Sequence, residues 1–268
     1  MVGRKTLLAV SFLAIATMAA PALVAGAPVP VRLPEGAAHG FLVVRDAKAT
    51  VIAQGDWWQI PKGDRLEMNL RFRFTDGSTS QETFVLGSRR VWTLLSYRSV
   101  QRGPRFPRDM DAHVDRETGR YTVRTTEKDG GAVKVDEGEI ELPEDAYALG
   151  MLAMLLRNLE AGETMRAHAV AFTPKPRILK LEAAPNGEET VKIEGLPRKT
   201  QRYVSTAKLE GVLGAAASVT GKQPPDLHYW LAGEPVPTFV RVDCPFYPDG
   251  PIWRVELAAP RWSRETRK

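Results

Sequence analysis

The stretch "RLEMNLRFRF" (residues 65–74) decides the fold. Leu66, Met68, Leu70, Phe72 and Phe74 alternate with Arg65, Glu67, Asn69, Arg71 and Arg73. Strict period two over such a length marks an antiparallel strand with one buried and one solvated face. "TDGS" (75–78) then supplies an Asp-Gly turn and "QETFVLG" (81–87) returns, which predicts a hairpin. "RVWTLLSYRSV" (90–100), a second hairpin in "DMDAHVDRETGRYTVRTT" (109–126) and "AVKVDEGEIEL" (132–142) continue the pattern. Past the middle of the chain it resumes with "MRAHAVAF" (165–172), "RILKLEAA" (177–184), "ETVKIEG" (189–195), "QRYVSTAKLEG" (201–211), "LHYWLAG" (227–233), "PTFVRVDC" (237–244) and "IWRVELAA" (252–259).

One segment breaks the rule. In "LPEDAYALGMLAMLLRNLEAG" (142–162), Pro143 suits a first helical position and Glu144 and Asp145 suit the positive end of a helix dipole. Apolar residues fill nearly the whole circumference from Ala146 to Leu156, the composition of a buried helix. The pattern predicts a mainly β protein: a curved antiparallel sheet or open β-barrel around one central buried helix at about 143–160. Two stacked β-subdomains, split near the helix, are the alternative.

The N-terminus has the layout of a secretory signal: basic Arg4 and Lys5, an apolar core from Thr6 to Ala20, then Pro21 and small residues. Small residues stand at −3 and −1 for cuts after Ala22 and after Gly26, and a cut after Ala27 would leave Pro28 at +1. A leader over 1–27 therefore places the mature protein in the periplasm or outside the cell. The rival reading is an uncleaved inner-membrane anchor, since no charge occurs from Thr6 through Val31 and about 20 apolar residues span a bilayer. Any membrane contact would be made by that segment alone. Residues 28–39 read as a flexible arm, 40–262 as one β-rich domain and 263–268 as a basic tail.

The net charge of +5 is interspersed, with no Lys/Arg block to suggest a nucleic-acid partner. Cys244 is the single cysteine, so no intrachain disulfide forms and zinc sites built on several thiolates are excluded.

Asp109, Asp111, His113 and Asp115 occupy alternate positions and would share one face of a strand. Alternate residues are about 7 Å apart, too far for neighbours to bridge one ion readily. The row reads as the wet side of a strand whose other face carries Met110, Ala112 and Val114, and no metal is expected. "TGKQ" (220–223) lacks the glycine and hydroxyl residue of a phosphate loop. In "DWW" (56–58) one Trp faces the core and the other the rim. His39, His113, His168 and His228 are scattered, with no nucleophile-elbow or metalloprotease pattern around them. No catalytic residue and no cofactor are assigned.

Together, "FRFTDGS" (72–78), "QRGPRFP" (101–107), "ELPEDAYALGMLAMLLRNL" (141–159) and "GKQPPD" (221–226) with Trp230 resemble the periplasmic domains of unknown function numbered 3108. The resemblance implies a curved sheet holding a helix, a build similar to periplasmic lipoprotein carriers, and brings no catalytic residues. The expected function is a non-enzymatic periplasmic binding module for an apolar or acyl-chain ligand. Phe72 and Phe74 on the sheet and Met151, Met154 and Leu155 on the helix are the candidate contacts. The alternative is a cell-envelope structural or protein-interaction domain without a small ligand, and a hydrolase comes third.

Overall fold

The computed structural model describes residues 26–258 except 129, 174, 194, 210–222 and 234–235. The leader as far as residue 25, the basic tail and residues 220–222 of "TGKQ" lie outside the described residues.

The first half is an up-and-down run of eight strands: β1 (Ala38–Arg45), β2 (Val51–Lys62), β3 (Arg65–Phe74), β4 (Thr79–Gly87), β5 (Thr93–Arg102), β6 (Arg108–Asp115), β7 (Arg120–Glu127) and β8 (Lys134–Glu139). The β3–β4 turn closes as its sequence dictates. Asp76 Oδ1 accepts the Ser78 N–H at 3.0 Å, and Gly77 takes the positive φ of 84° that a side chain would resist.

The second half begins with a short β9 (Ala146–Ala148), a 3-10 turn (Leu149–Met151) and α1 (Leu152–Leu156). It continues through β10 (Met165–Thr173), β11 (Lys175–Ile193), β12 (Leu196–Lys208), β13 (Leu227–Ala232), β14 (Thr238–Cys244) and β15 (Trp253–Ala258). All fifteen strands form one sheet in the order β8-β7-β6-β5-β4-β3-β2-β1-β15-β14-β13-β12-β11-β10-β9. The first and last strands join the halves, in register from Phe41↔Ala258 to Arg45↔Arg254. The chain is therefore one mainly β unit with a continuous curved sheet, not two stacked subdomains.

The sheet rolls over itself. On β10, Met165, Ala167 and Ala169 are buried on one face while Val170 and Phe172 are buried on the other. A strand buried on both faces needs a cover on each side. Tyr97 of β5 provides the second, stacking on Phe172 at 5.1 Å and on Phe84 at 5.2 Å. The Tyr147 hydroxyl of β9 donates to the Trp92 carbonyl at 3.0 Å, and Arg116 after β6 donates to the carbonyls of Leu142, Pro143 and Ala146.

Two expectations need correction. The helix predicted at 143–160 is far shorter, with α-helical turns only over Leu152–Leu156. An apolar run of this length is compatible with strand or helix, and pairing decides it. Ala146, Tyr147 and Ala148 extend alongside β10 in parallel, and the Asn158 side chain closes the other end by donating to the Met154 carbonyl at 2.9 Å.

Second, the segment expected as a flexible arm over 28–39 packs against the domain from Val29 to Glu35. Val29 is buried, and its carbonyl accepts the Trp92 N–H at 2.8 Å. The N–H groups of Arg32 and Leu33 both donate to Asn158 Oδ1 at 2.9 Å. Glu35 then pairs with Arg157 at 3.1 Å and accepts the Gln59 amide at 2.8 Å.

Candidate functional site

The pleat of β4 sends Ser80, Glu82, Phe84 and Leu86 to the interior, so a carboxylate stands in line with two fully buried apolar residues. Glu82 Oε1 accepts the Tyr97 hydroxyl at 2.5 Å. Oε2 points at the backbone entering α1: a Cβ built on Gly150 would stand 2.3 Å from it, 2.8 Å from Phe84 and 3.2 Å from Leu70. Gly150 is thus the residue that lets the chain pass. Tyr229 of β13 closes the next side, its hydroxyl donating to the Leu149 carbonyl at 3.2 Å. Cys244 ends β14 on the inward parity of Val242.

Desolvation is the largest effect on every titratable member of this group. It raises the Glu82 carboxyl, against the Tyr97 hydrogen bond that favours the charged form. It lifts the Tyr97 and Tyr229 hydroxyls well above their usual range and pushes the Cys244 thiol up to about 12, the charge on Glu82 adding in each case. The thiol keeps its proton at neutral pH and is no activated nucleophile. Despite this depth, Glu82, Cys244, Leu70, Leu149 and Gly150 all retain surface that a water-sized probe reaches. The neighbours of the Glu82 carboxylate are mostly apolar, with Leu70 and Phe84 beside Gly150.

The raised carboxyl has a measurable consequence. A carboxyl whose folded value exceeds its unfolded value destabilises the native state as pH rises, since the folded state then holds more protons. Glu82→Gln removes that dependence while its amide oxygen still accepts from Tyr97. Denaturant titrations should show the variant gaining on wild type from about pH 4 upward, by about 1.4 kcal/mol per unit of raised pKa. A constant gap between the two proteins across that range would contradict the assignment.

The five sequence-derived contacts all lie in the main hydrophobic cluster: Phe72 is 7% exposed, Phe74 5%, Met151 0%, Met154 4% and Leu155 0%. Phe72 and Phe74 pack edge-on to Phe246 at 5.1 and 5.8 Å, and Phe74 also meets Phe106 and Trp253. These five are packed side chains of that cluster, while Leu70, Gly150, Tyr229 and Cys244 gather around Glu82. Glu82 was readable from its parity with Phe84 and Leu86, and Cys244 from its parity with Val242.

The polar row on β6 is divided among separate partners. Asp109 accepts the Gly103 N–H at 2.8 Å, Asp111 receives both arms of Arg98 at 2.9 and 2.8 Å, and Asp115 caps the turn through Thr118. Ala112 and Val114 occupy the buried face. Of the tandem tryptophans, Trp57 packs on the core over Gly40, and Trp58 lies on the outer face under Arg71, 5.4 Å from its ring.

That outer face carries a second cluster. His39 lies 4.8 Å from the Phe41 ring and 3.4 Å from Asp56, and Phe41 is 37% exposed. Beyond it, the β11–β12 tip folds against the sheet through Val191, which packs with Trp230 and Val240. Arg241 covers Trp230 at 4.0 Å, and the indole donates to Glu189 at 2.8 Å. A groove of about 870 Å³ runs between this tip and β1–β2, lined in part by Phe41, Val43, Val51, Ile193 and Arg241.

The single rolled sheet makes this a β-barrel-like domain. No family model matches the chain, and no curated protein matches it. Among solved structures it is similar to a β-barrel-like protein of the domain of unknown function DUF1849 from Brucella abortus, at 10% identity and a TM-score of 0.41, covering 87% of this chain and 98% of that one. That neighbour carries a different number from the 3108 domains the sequence resembles.

Proposed function

We propose that this protein is a non-enzymatic binding module of the bacterial periplasm whose rolled sheet holds an apolar or acyl-chain ligand, with the ligand's polar end at Glu82. The observation that carries the reading is a carboxylate on the inward face of the rolled sheet, Glu82, which keeps accessible surface while its Oε2 lies against Gly150. Ligand sites of this kind are concave and mostly apolar, with few oriented polar groups. Oε2 has no hydrogen-bond donor among the described residues, while Oε1 is held by Tyr97. Burial raises the Glu82 carboxyl and so favours its neutral form, which can share a hydrogen bond with a carbonyl or carboxyl oxygen, the group an acyl chain brings. The signal-like leader and the absence of a second cysteine to pair with Cys244 fit an exported, disulfide-free chain.

The test is a fluorescence titration with a fatty-acid probe on wild type and on Leu70→Trp, which places a larger side chain beside Gly150. Saturable uptake by wild type, weakened at least tenfold in the folded variant, is expected. A stably folded wild type that takes up no probe would sink the reading.

The outer face favours a second reading, an envelope interaction domain with no small ligand. Phe41, Trp58 and Arg71 are residue types enriched where proteins meet. The same titration separates the two readings, because an outer-face partner leaves the interior empty of probe.

A further inference from the structure

Asp145 is one of the least exposed charged residues described, at 4%. Its Oδ1 shares a 2.7 Å hydrogen bond with His168 Nδ1, but Oδ2 is buried with no hydrogen-bond partner among the described residues. Leaving a carboxylate oxygen in that state is costly unless something answers it. The nearby cation does not, because Arg116 directs its guanidinium to the carbonyls of Leu94, Leu142, Pro143 and Ala146. The Arg166 carbonyl, which lies on the same side, can only accept.

The N-terminal segment does reach Oδ2. A Cβ built on Gly26 would stand 2.2 Å from Oδ2 and 2.4 Å from the Arg166 carbonyl oxygen. The Gly26 α-carbon therefore lies within about 3.7 Å of the carboxylate, one carbon–carbon bond further out. The Ala27 nitrogen follows two bonds along the chain. Downstream the path is fixed: the Val29 N–H donates to the Tyr147 hydroxyl at 2.9 Å, on the same short segment that carries Asp145.

We propose that leader removal cuts the Gly26–Ala27 bond, and that the new α-ammonium of Ala27 becomes the missing partner of Asp145 Oδ2. The proposal rests on the exported reading given above. Val24 and Gly26 supply small residues at −3 and −1, and the cut leaves Pro28 at +2, where it does not block cleavage. The step is a hydrolysis by the export pathway's processing peptidase. Water adds across the amide, the carboxyl departs on the leader, and the amine stays on Ala27. An α-amine with an ordinary pKa of about 7.7–8.0 takes up a proton at neutral pH. The departing glycine vacates the space beside Oδ2 that the ammonium then occupies. An orphan acid in the unprocessed chain is in this view a socket completed by processing.

The full-length gene is expressed with export, and the product's N-terminus is read by intact mass and terminal sequencing. Ala27 is the expected first residue. A start at another residue overturns this inference alone, whereas a protein retaining Met1 overturns the export reading with it. The processed protein and a form that keeps Ala25-Gly26 ahead of Ala27 are then unfolded in denaturant, each with Asp145 and with Asp145→Asn. Keeping the two residues should lower the folding equilibrium about tenfold in the Asp145 background and leave it unchanged in the Asn background, the signature of a coupled pair. Equal losses in both backgrounds would overturn the pairing. If Asp145→Asn does not fold, the readout is acylation of the Ala27 amine at neutral pH, at least tenfold slower in the folded than in the unfolded protein. Equal reactivity would refute the proposal.

Discussion

Leu152→Asp is expected to melt far below the wild-type protein. Leu152 opens α1 and is 0% exposed, between the equally buried Met151 and the partly exposed Ala153. An unpaired charge left at such a site costs roughly 3–5 kcal/mol, against a total stability of about 5–15 kcal/mol for a domain. The damage also spreads, because Leu152 belongs to the main hydrophobic cluster shared by strands of both halves. Circular dichroism and a thermal melt decide it, with Ala153→Ser as the tolerated neighbour. A Leu152→Asp protein melting at the wild-type temperature would show that α1 is peripheral.

The second large effect is expected at the seam between the halves. Val44 is 0% exposed on β1, opposite Ala53 of β2 and Val255 of β15. In a strand paired on both sides each N–H is committed to one neighbour or the other, and proline removes it. Val44→Pro should therefore cost about 3 kcal/mol or more, from the lost ladder bond and the poorly filled space beneath. Both halves should fail together: the environments of Trp92 in the first half and Trp230 in the second should be lost in one transition. A variant whose halves melt separately would restore the two-subdomain architecture.

The elements themselves were legible, but the rolling was not. β3 announces itself because one face meets the core and the other meets water, the condition under which period two is written into a sequence. β11 is harder: "RILKLEAA" and "ETVKIEG" read as two strands around "PNG", yet the ladder runs on through a register shift between Pro185 and Glu188. The helix was overestimated because "AYALGMLAMLL" reports only that every side is dry. It is dry partly because Ala146–Ala148 is an inner strand, and its partner begins some twenty residues later, beyond any local signal. Burial on both faces of β10 is equally silent, since alanine suits either environment. The candidate site was half legible. Parity places Glu82 and Cys244 inside, but only the fold shows that Gly150 brings the backbone against that carboxylate.

Native mass spectrometry of the exported protein, taken from the periplasm without detergent exchange, tests the central claim most directly. The claim is that the rolled sheet encloses a space for an apolar ligand headed by Glu82. The account predicts a non-covalent adduct with the mass of an acyl-chain lipid on wild type, released on unfolding and depleted in Leu70→Trp. A wild type of apo mass alone, unable to take up added fatty acid while fully folded, would contradict it and leave the outer face as the functional surface.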